Sequence, residues 1–291
     1  VPVSQFLEPR SVDEAGRLLA EDPDESMAVA GGTAVTLMLR QRLIEPTRLV
    51  SLARIPGLHG IEERDGEVRV GAATTLTEVA TAHVIRDRLP ALAHAAGRVG
   101  NIRVRNVATM GGNVAEADYA SDPPSVLASL GAECVVQGPD GVRQVAVDEF
   151  ITGFYTNALR DGEVLTDVVI PTPVGRRAVY HKYVSRSSED RPCVGVAARG
   201  DFDGATVRAL DVVVGAVSAR PQRLADVTGE ASGHRLHDDL VDHIADEYAG
   251  RLDPMDDDRG STWYRRQMIQ VFVRRALIEL AGPAREATAH G

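Results

Sequence analysis

Asp-Gly pairs at 65–66, 140–141 and 203–204 each separate two runs in which apolar and polar residues alternate: "GIEERDGEVRVGAAT", "ECVVQGPDGVRQVAV" and "CVGVAARGDFDGATVRALDVVVGAV". Alternation marks strands with one buried face, and Asp-Gly suits a two-residue hairpin turn, because both positions can take positive φ. Three such hairpins place antiparallel sheet in the middle and the tail of the chain. The N-terminal third reads differently. "SMAVA" (26–30) is a buried strand, "TAVTLMLRQRL" (33–43) has helical spacing, and "RLVSL" (48–52) is again a strand. Between these zones, 76–99 is helical with a break at Pro90, 123–132 is a helix opened by proline, and 163–171 is an apolar strand. After a Pro- and Gly-containing boundary at 172–178, strands are followed by amphipathic helices over 236–252 and 261–282. The order predicts an α+β chain in three parts, 1–58, 59–174 and 175–291.

Composition narrows the function. A chain of 291 residues with 44 % apolar residues has ample core for two or three domains. The net charge of −10 argues against nucleic acid or an anionic membrane as partner. No run of about twenty apolar residues is present, and the start, "VPVSQFLEPRS", lacks a basic-then-apolar leader, so a cytoplasmic protein is expected. Cys134 and Cys193 are too few to hold an iron–sulfur cluster and sit in strand-like runs, where a buried free thiol is expected. His234, His237 and His243, with Asp238, Asp239 and Asp242, read as a solvated helix face rather than a metal centre. "DPMDDDRG" (253–260) lacks calcium-loop spacing and reads as a capping loop ahead of Ser261.

Two glycine pairs carry the functional signal. "VAGGTAVTLM" (29–38) follows a strand and opens a helix, and "NVATMGGNVAEADYASDPP" (106–124) repeats the Gly-Gly theme about eighty residues later. Without Cβ atoms, backbone N–H groups can approach an anion and form a nest for it. Two nests could clamp a pyrophosphate from both sides, with Thr33 and Thr109 adding hydroxyl donors. Neither pair fits GxGxxG, and there is no phosphate-loop lysine motif and no GxSxG elbow.

In this order the motifs "AGGT" (30–33), "VRNVATMGGN" (104–113), "ADYASDPPSVLASLGA" (117–132) and "GEVLTDVVIP" (162–171) resemble the FAD-binding medium subunit of the molybdenum hydroxylases, the family of carbon monoxide and xanthine dehydrogenases. "RSSEDRPCVGVAA" and "DDDRGSTWYRRQM" are similar to that family's C-terminal flavin-subunit domain. The resemblance covers nearly the whole chain. It implies two α/β subdomains that bind FAD and an α+β domain after them. It assigns Ala30, Gly31, Gly32, Thr33 and Ala34 to a first pyrophosphate loop, and Thr109, Met110, Gly111, Gly112 and Asn113 to a second. Asp122 falls where the family places an acid near the ribityl chain; it also suits a helix N-cap, and Asp118 is a weaker candidate for the same contact. Lys182 is similar to a lysine near the flavin ring, with Leu165 as a further ring contact. Some relatives place an aromatic over the ring from the loop after that lysine. Here "SRSSEDRPCVG" has none, and strand alternation points Tyr183 away from Lys182.

The resemblance also implies a molybdopterin-containing large subunit, an iron–sulfur small subunit and a dimer of such heterotrimers. This chain is then the electron-transfer component. A self-sufficient flavin oxidoreductase of the wider FAD fold is the alternative, and a non-catalytic flavin-binding or assembly protein a third reading. Trp263 on the last helix reads as a buried tryptophan or as part of a partner surface.

Overall fold

The computed structural model describes residues 3–282. The first part is a small parallel sheet. Strands β1 (Gln5–Leu7) and β2 (Ser26–Val29) flank β3 (Arg48–Ser51) in the order β1-β3-β2, and helices α1 (Val12–Ala20) and α2 (Thr33–Arg40) make the crossovers. Ser11 caps α1 by accepting the Glu14 N–H, while the Glu14 carboxylate takes the Arg10 N–H at 2.7 Å. Ala15, Val50, Ile55 and Leu58 form its compact core with Val164 of the next part. Strand β1 leaves no alternating run in the sequence, and it is recognised by its parallel pairing with β3.

The second part is a five-stranded antiparallel sheet. Strands β4 (Ile61–Arg64) and β5 (Glu67–Gly71) are joined at Asp65-Gly66, where φ is +53° and +83°. Helices α3 (Leu76–Thr81), α4 (His83–Arg88), α5 (Pro90–Gly97), α6 (Ile102–Arg105), α7 (Met110–Glu116) and α8 (Asp122–Leu130) follow. Strands β6 (Glu133–Gly138) and β7 (Gly141–Ala146), the short helix α9 (Val147–Phe150), the small hairpin β8 (Ile151–Gly153) and β9 (Thr156–Asn157), and β10 (Val164–Pro171) complete it. The sheet order is β4-β5-β10-β6-β7. Val68, Val70, Cys134, Val136, Val168 and Ile170 point from one face into the helices and form the largest core. The region 76–99 breaks twice rather than once. Ala82, at ψ 133°, ends α3 before Pro90 ends α4. The Thr75–Glu78 capping box fixes where α3 begins.

The third part is an antiparallel sheet of β11 (Arg176–Tyr183), β12 (Val194–Asp203) and β13 (Thr206–Gly215), with α10 (Ala225–Gly229), α11 (Asp238–Arg251) and α12 (Thr262–Ala281). Alternation divides this sheet between two cores. Val194, Val196, Ala198, Val212 and Val214 pack on α11 and α12, whereas Tyr180, Ala197 and Val213 face the core around α8. Helix α8 is buried along its whole length. Its approach to β13 is so close that a Cβ on Gly215 would lie 2.0 Å from Ser125 Oγ. The sheet is therefore joined to the helices of the second part through packing, not through a linker alone.

Cys134 and Cys193 are buried and unpaired, and burial pushes the Cys134 thiol up to about 12. His237 caps α11 and His243 pairs with Glu230. Ser261 caps α12 by accepting the Tyr264 N–H. Trp263 does not pack inward: it is 69 % exposed. The inward position two residues on is taken by Arg265, whose guanidinium meets Asp257 at 2.5 Å and the Ala216 carbonyl at 2.9 Å. The buried guanidinium is matched by the Asp257 carboxylate, an ion pair that an indole could not make.

Candidate functional site

A cavity of about 650 Å³ lies where the three parts meet. One wall is the first glycine segment. β2 ends at Val29, the chain turns through Ala30 and Gly31, and Gly32 caps α2 in the left-handed region at φ 70°, ψ 3°. No side chain caps α2. The N–H groups of Thr33, Ala34 and Val35 precede any intrahelical acceptor, and all three residues line the cavity. A helix start of this kind offers backbone N–H donors to an anion.

The second glycine segment is built differently. It is not a loop but the first turn of α7, and its N–H groups are already bonded within the protein. Met110 donates to Thr74 O at 2.8 Å, Gly111 to Ala72 O at 2.9 Å, Gly112 to the Thr109 hydroxyl at 3.1 Å and Asn113 to Thr109 O at 2.9 Å. The second half of the expected pair of backbone nests is therefore not found. What Thr109, Gly112 and Asn113 bring to the cavity wall is an open surface, a hydroxyl and an amide. Asn113 Oδ1 accepts from Ser121 at 2.9 Å, which leaves its NH2 group as the donor. Met110 and Gly111 do not line the cavity. Met110 is in the core, and a Cβ on Gly111 would sit 2.4 Å from that of Ala72. Leu165 is likewise a core residue of β10, away from the cavity.

The two segments touch. A Cβ on Gly31 would lie 1.8 Å from the carbonyl oxygen of Val107, two residues ahead of Thr109. The separation of about eighty residues in sequence closes to van der Waals contact, and glycine is what allows it.

The other end of the cavity is charged. Asp122 and Lys182 both line it, and their side chains are 3 % and 1 % exposed. Lys182 Nζ donates to Asp122 Oδ2 at 2.9 Å and to the Arg98 carbonyl at 2.8 Å, while Tyr180 Oη donates to Asp122 Oδ1 at 2.6 Å. Asp122 is not the N-cap of α8; that residue is Ser121, which makes no capping bond. Both carboxylate oxygens are held by β11. Burial raises the Asp122 carboxyl above its ordinary value, against the pull of Lys182 and the two hydrogen bonds. Tyr180 is raised well above the usual phenol range by burial and by Asp122. Strand alternation sends Tyr183 to the opposite face, where it bonds Tyr264.

Four further residues shape this end. Arg191 Nε of the loop after β11 pairs with Asp118 Oδ2 at 2.7 Å, and Tyr155 extends to the same carboxylate. Glu116 lines the wall beside them. Burial first, then Asp118, raises its carboxyl to about 7, with Arg191 opposing. In the sequence Glu116 and Tyr155 carry no signal, because only the fold brings the end of α7 against the β8–β9 turn. On the apolar side, Leu37, Met38, Leu43, Ile44, Val99 and Val104 complete the lining.

Comparison with known proteins identifies the family. Residues 2–173 match the FAD binding domain in molybdopterin dehydrogenase, and residues 179–280 match the CO dehydrogenase flavoprotein C-terminal domain. The glyceraldehyde dehydrogenase medium chain of Sulfolobus acidocaldarius is 31 % identical, over 96 % of this chain and 99 % of its own length. The carbon monoxide dehydrogenase medium chain of Hydrogenophaga pseudoflava is 29 % identical over 95 % and 96 %. Among solved structures, carbon monoxide dehydrogenase from Hydrogenophaga pseudoflava superposes with a TM-score of 0.91 at 30 % identity, covering 95 % of this chain and 96 % of that one. Quinoline 2-oxidoreductase from Pseudomonas putida 86 gives 0.91 at 29 % identity, covering 97 % and 98 %. The chain belongs to the FAD-binding medium subunits of the molybdenum hydroxylases, an oxidoreductase component whose cofactor is FAD.

Proposed function

We propose that this chain is the electron-transfer component of a heterotrimeric molybdenum hydroxylase, receiving electrons from an iron–sulfur subunit and passing them to an external acceptor. In this reading a molybdopterin-containing large subunit oxidises the substrate, and two heterotrimers pair into a dimer. The observation that carries it is the convergence of the two glycine segments on one cavity that also holds a buried lysine and carboxylate. Bound FAD supplies a centre that accepts electrons singly and releases them singly or in pairs.

The chain's own residues do the binding and the tuning. The N–H groups of Thr33, Ala34 and Val35 would hold the pyrophosphate, Gly112 would leave it room, and the hydroxyl of Thr109 and the NH2 of Asn113 would be further donors. Lys182 has three N–H groups, of which two are committed to Asp122 and Arg98 O. The third is the donor available to the cavity. Because Asp122 neutralises the ammonium, Lys182 acts as a directed hydrogen-bond donor more than as a free charge. The cysteines fit the division of labour, since two separated buried thiols cannot hold a cluster. Unpaired thiols also suit the reducing cytoplasm, where we place the complex.

Gly112→Val tests the cavity. A Cβ at this position meets only Thr109 Oγ1, at 2.9 Å, so the fold is expected to survive at the cost of one cap, about 1 kcal/mol. The expected result is a folded chain that no longer retains FAD, read from flavin absorbance against protein and from circular dichroism. A variant with stoichiometric FAD would show that the pyrophosphate lies elsewhere. The role in the complex is tested by co-purification. A cysteine-rich small subunit and a molybdopterin-bearing large one are expected, and substrate turnover by this chain alone would instead establish a self-sufficient oxidoreductase.

A further inference from the structure

The loop after Lys182 carries no aromatic residue, so a planar ring held near Lys182 needs its cover from another element. Among the described residues that line the cavity, one is aromatic, Tyr155. It comes from the turn between β8 and β9, which the resemblance did not mark.

Tyr155 is held in a way a surface turn does not need. Its backbone is in the left-handed region at φ 52°, where a bulky L-residue is strained. Its N–H donates to the carbonyl of Ala117 at 3.1 Å, and Ala117, which ends α7, is itself left-handed at φ 49°. Asn157 Nδ2 bonds the Ala115 carbonyl at 2.6 Å, so both sides of the turn are fixed to the end of α7. The ring is braced edge-on by Tyr119, with centroids 6.3 Å apart and planes at 89°. The phenol oxygen lies 3.4 Å from Asp118 Oδ1, the carboxylate that also holds Arg191. Yet the side chain is half exposed and lies on the cavity wall. An aromatic ring fixed by backbone, brace and hydroxyl, with its remaining surface turned to a cavity, is a preorganised stacking platform.

We propose that Tyr155 is a binding residue for the flavin, its ring forming the aromatic face against which the planar ring system rests. This rests on the assignment of the cavity to FAD. It assigns the covering role to the β8–β9 turn instead of the loop after β11, and it gives the strained backbone of Tyr155 a purpose.

The test uses the full chain with bound FAD and the variants Tyr155→Phe, Tyr155→Leu and Tyr155→Gly. A phenol in contact with a flavin quenches its fluorescence by electron transfer, and a benzene ring does not. Tyr155→Phe is therefore expected to brighten the bound flavin several-fold while holding it with nearly wild-type affinity. Tyr155→Leu, which loses the flat face, is expected to be as bright and to bind FAD about tenfold more weakly. Tyr155→Gly relieves the left-handed strain, so its apo form is expected to melt no lower than wild type while showing the same loss of affinity. Unchanged fluorescence and affinity in Tyr155→Leu would overturn the proposal. So would a lowered apo melting temperature in Tyr155→Gly, which would make the residue a structural one. Wild-type chain that binds no added FAD would defeat the FAD assignment itself, before any variant is compared.

Discussion

The two glycine segments share a dipeptide and differ in what it does. In Gly31-Gly32 the chain enters a helix without a side-chain cap, and the first residues of α2 line the cavity with N–H groups that have no intrahelical acceptor. In Gly111-Gly112 the helix is capped by Thr109, and each N–H of the first turn is bonded to Ala72, Thr74 or Thr109. One segment offers donors and the other offers room. The charged end repeats the contrast with carboxylates. Asp122 has both oxygens taken by Tyr180 and Lys182. Glu116, on the same cavity, has no ion pair of its own among the described residues, because Arg191 is bound to Asp118. A motif names the residue type, but the fold decides whether its polar atoms serve the structure or the ligand.

Gly31→Val should break this contrast most severely. The new Cβ falls on the Val107 carbonyl, a backbone atom that cannot rotate aside. The two segments must separate, at a loss of about 3 kcal/mol or more, together with the flavin. Urea unfolding of the apo chain, set beside that of Gly112→Val, checks it. Equal stability of the two variants would mean the junction is not what glycine serves at position 31.

Lys182→Ala tests the committed carboxylate. It leaves Asp122 buried without its counter-charge, and removal of one partner of a buried pair costs about 3–5 kcal/mol. The carboxyl, already raised by burial, rises further. Because the folded chain then keeps a proton that the unfolded chain has released, the deficit is largest at neutral pH and shrinks on acidification. Melting of the apo variant at pH 5 and pH 7.5 distinguishes this from a lysine that only faces solvent, which would show neither the loss nor the trend.

Much of this was legible in the sequence. Hairpins at Asp-Gly and the helices of the tail depend on local chemistry that residue order records. Three things were not. The start of α7 inside "TMGGN" depends on Thr74 and Ala72 accepting its N–H groups, and they lie over thirty residues upstream. Trp263 and Arg265 exchange the expected inside and outside because Asp257 and Ala216 O wait within the core for a guanidinium. Tyr155 and Glu116 meet only through the αL carbonyl of Ala117, a conformation that alanine does not advertise. In each case the missing information is a long-range partner.

The smallest expected effect separates Glu116 from Asp122 most cleanly. Burial and Asp118 hold the Glu116 carboxyl at about 7, against an ordinary value of 4.5. Between those values the folded chain binds a proton that the unfolded chain has lost. Stability contributed at this site therefore falls as pH rises through the window, and the penalty is complete above about pH 7, on the order of 3 kcal/mol at most. Glu116→Gln keeps the shape and removes the titration. The variant should match wild-type apo chain at pH 4 and exceed its melting temperature at pH 8. A difference that does not change with pH would mean that Glu116 titrates in the folded chain as it does in the unfolded one. The field of Arg191 would then reach it despite the bond to Asp118, and Glu116 would join Asp122 as a carboxylate serving the structure.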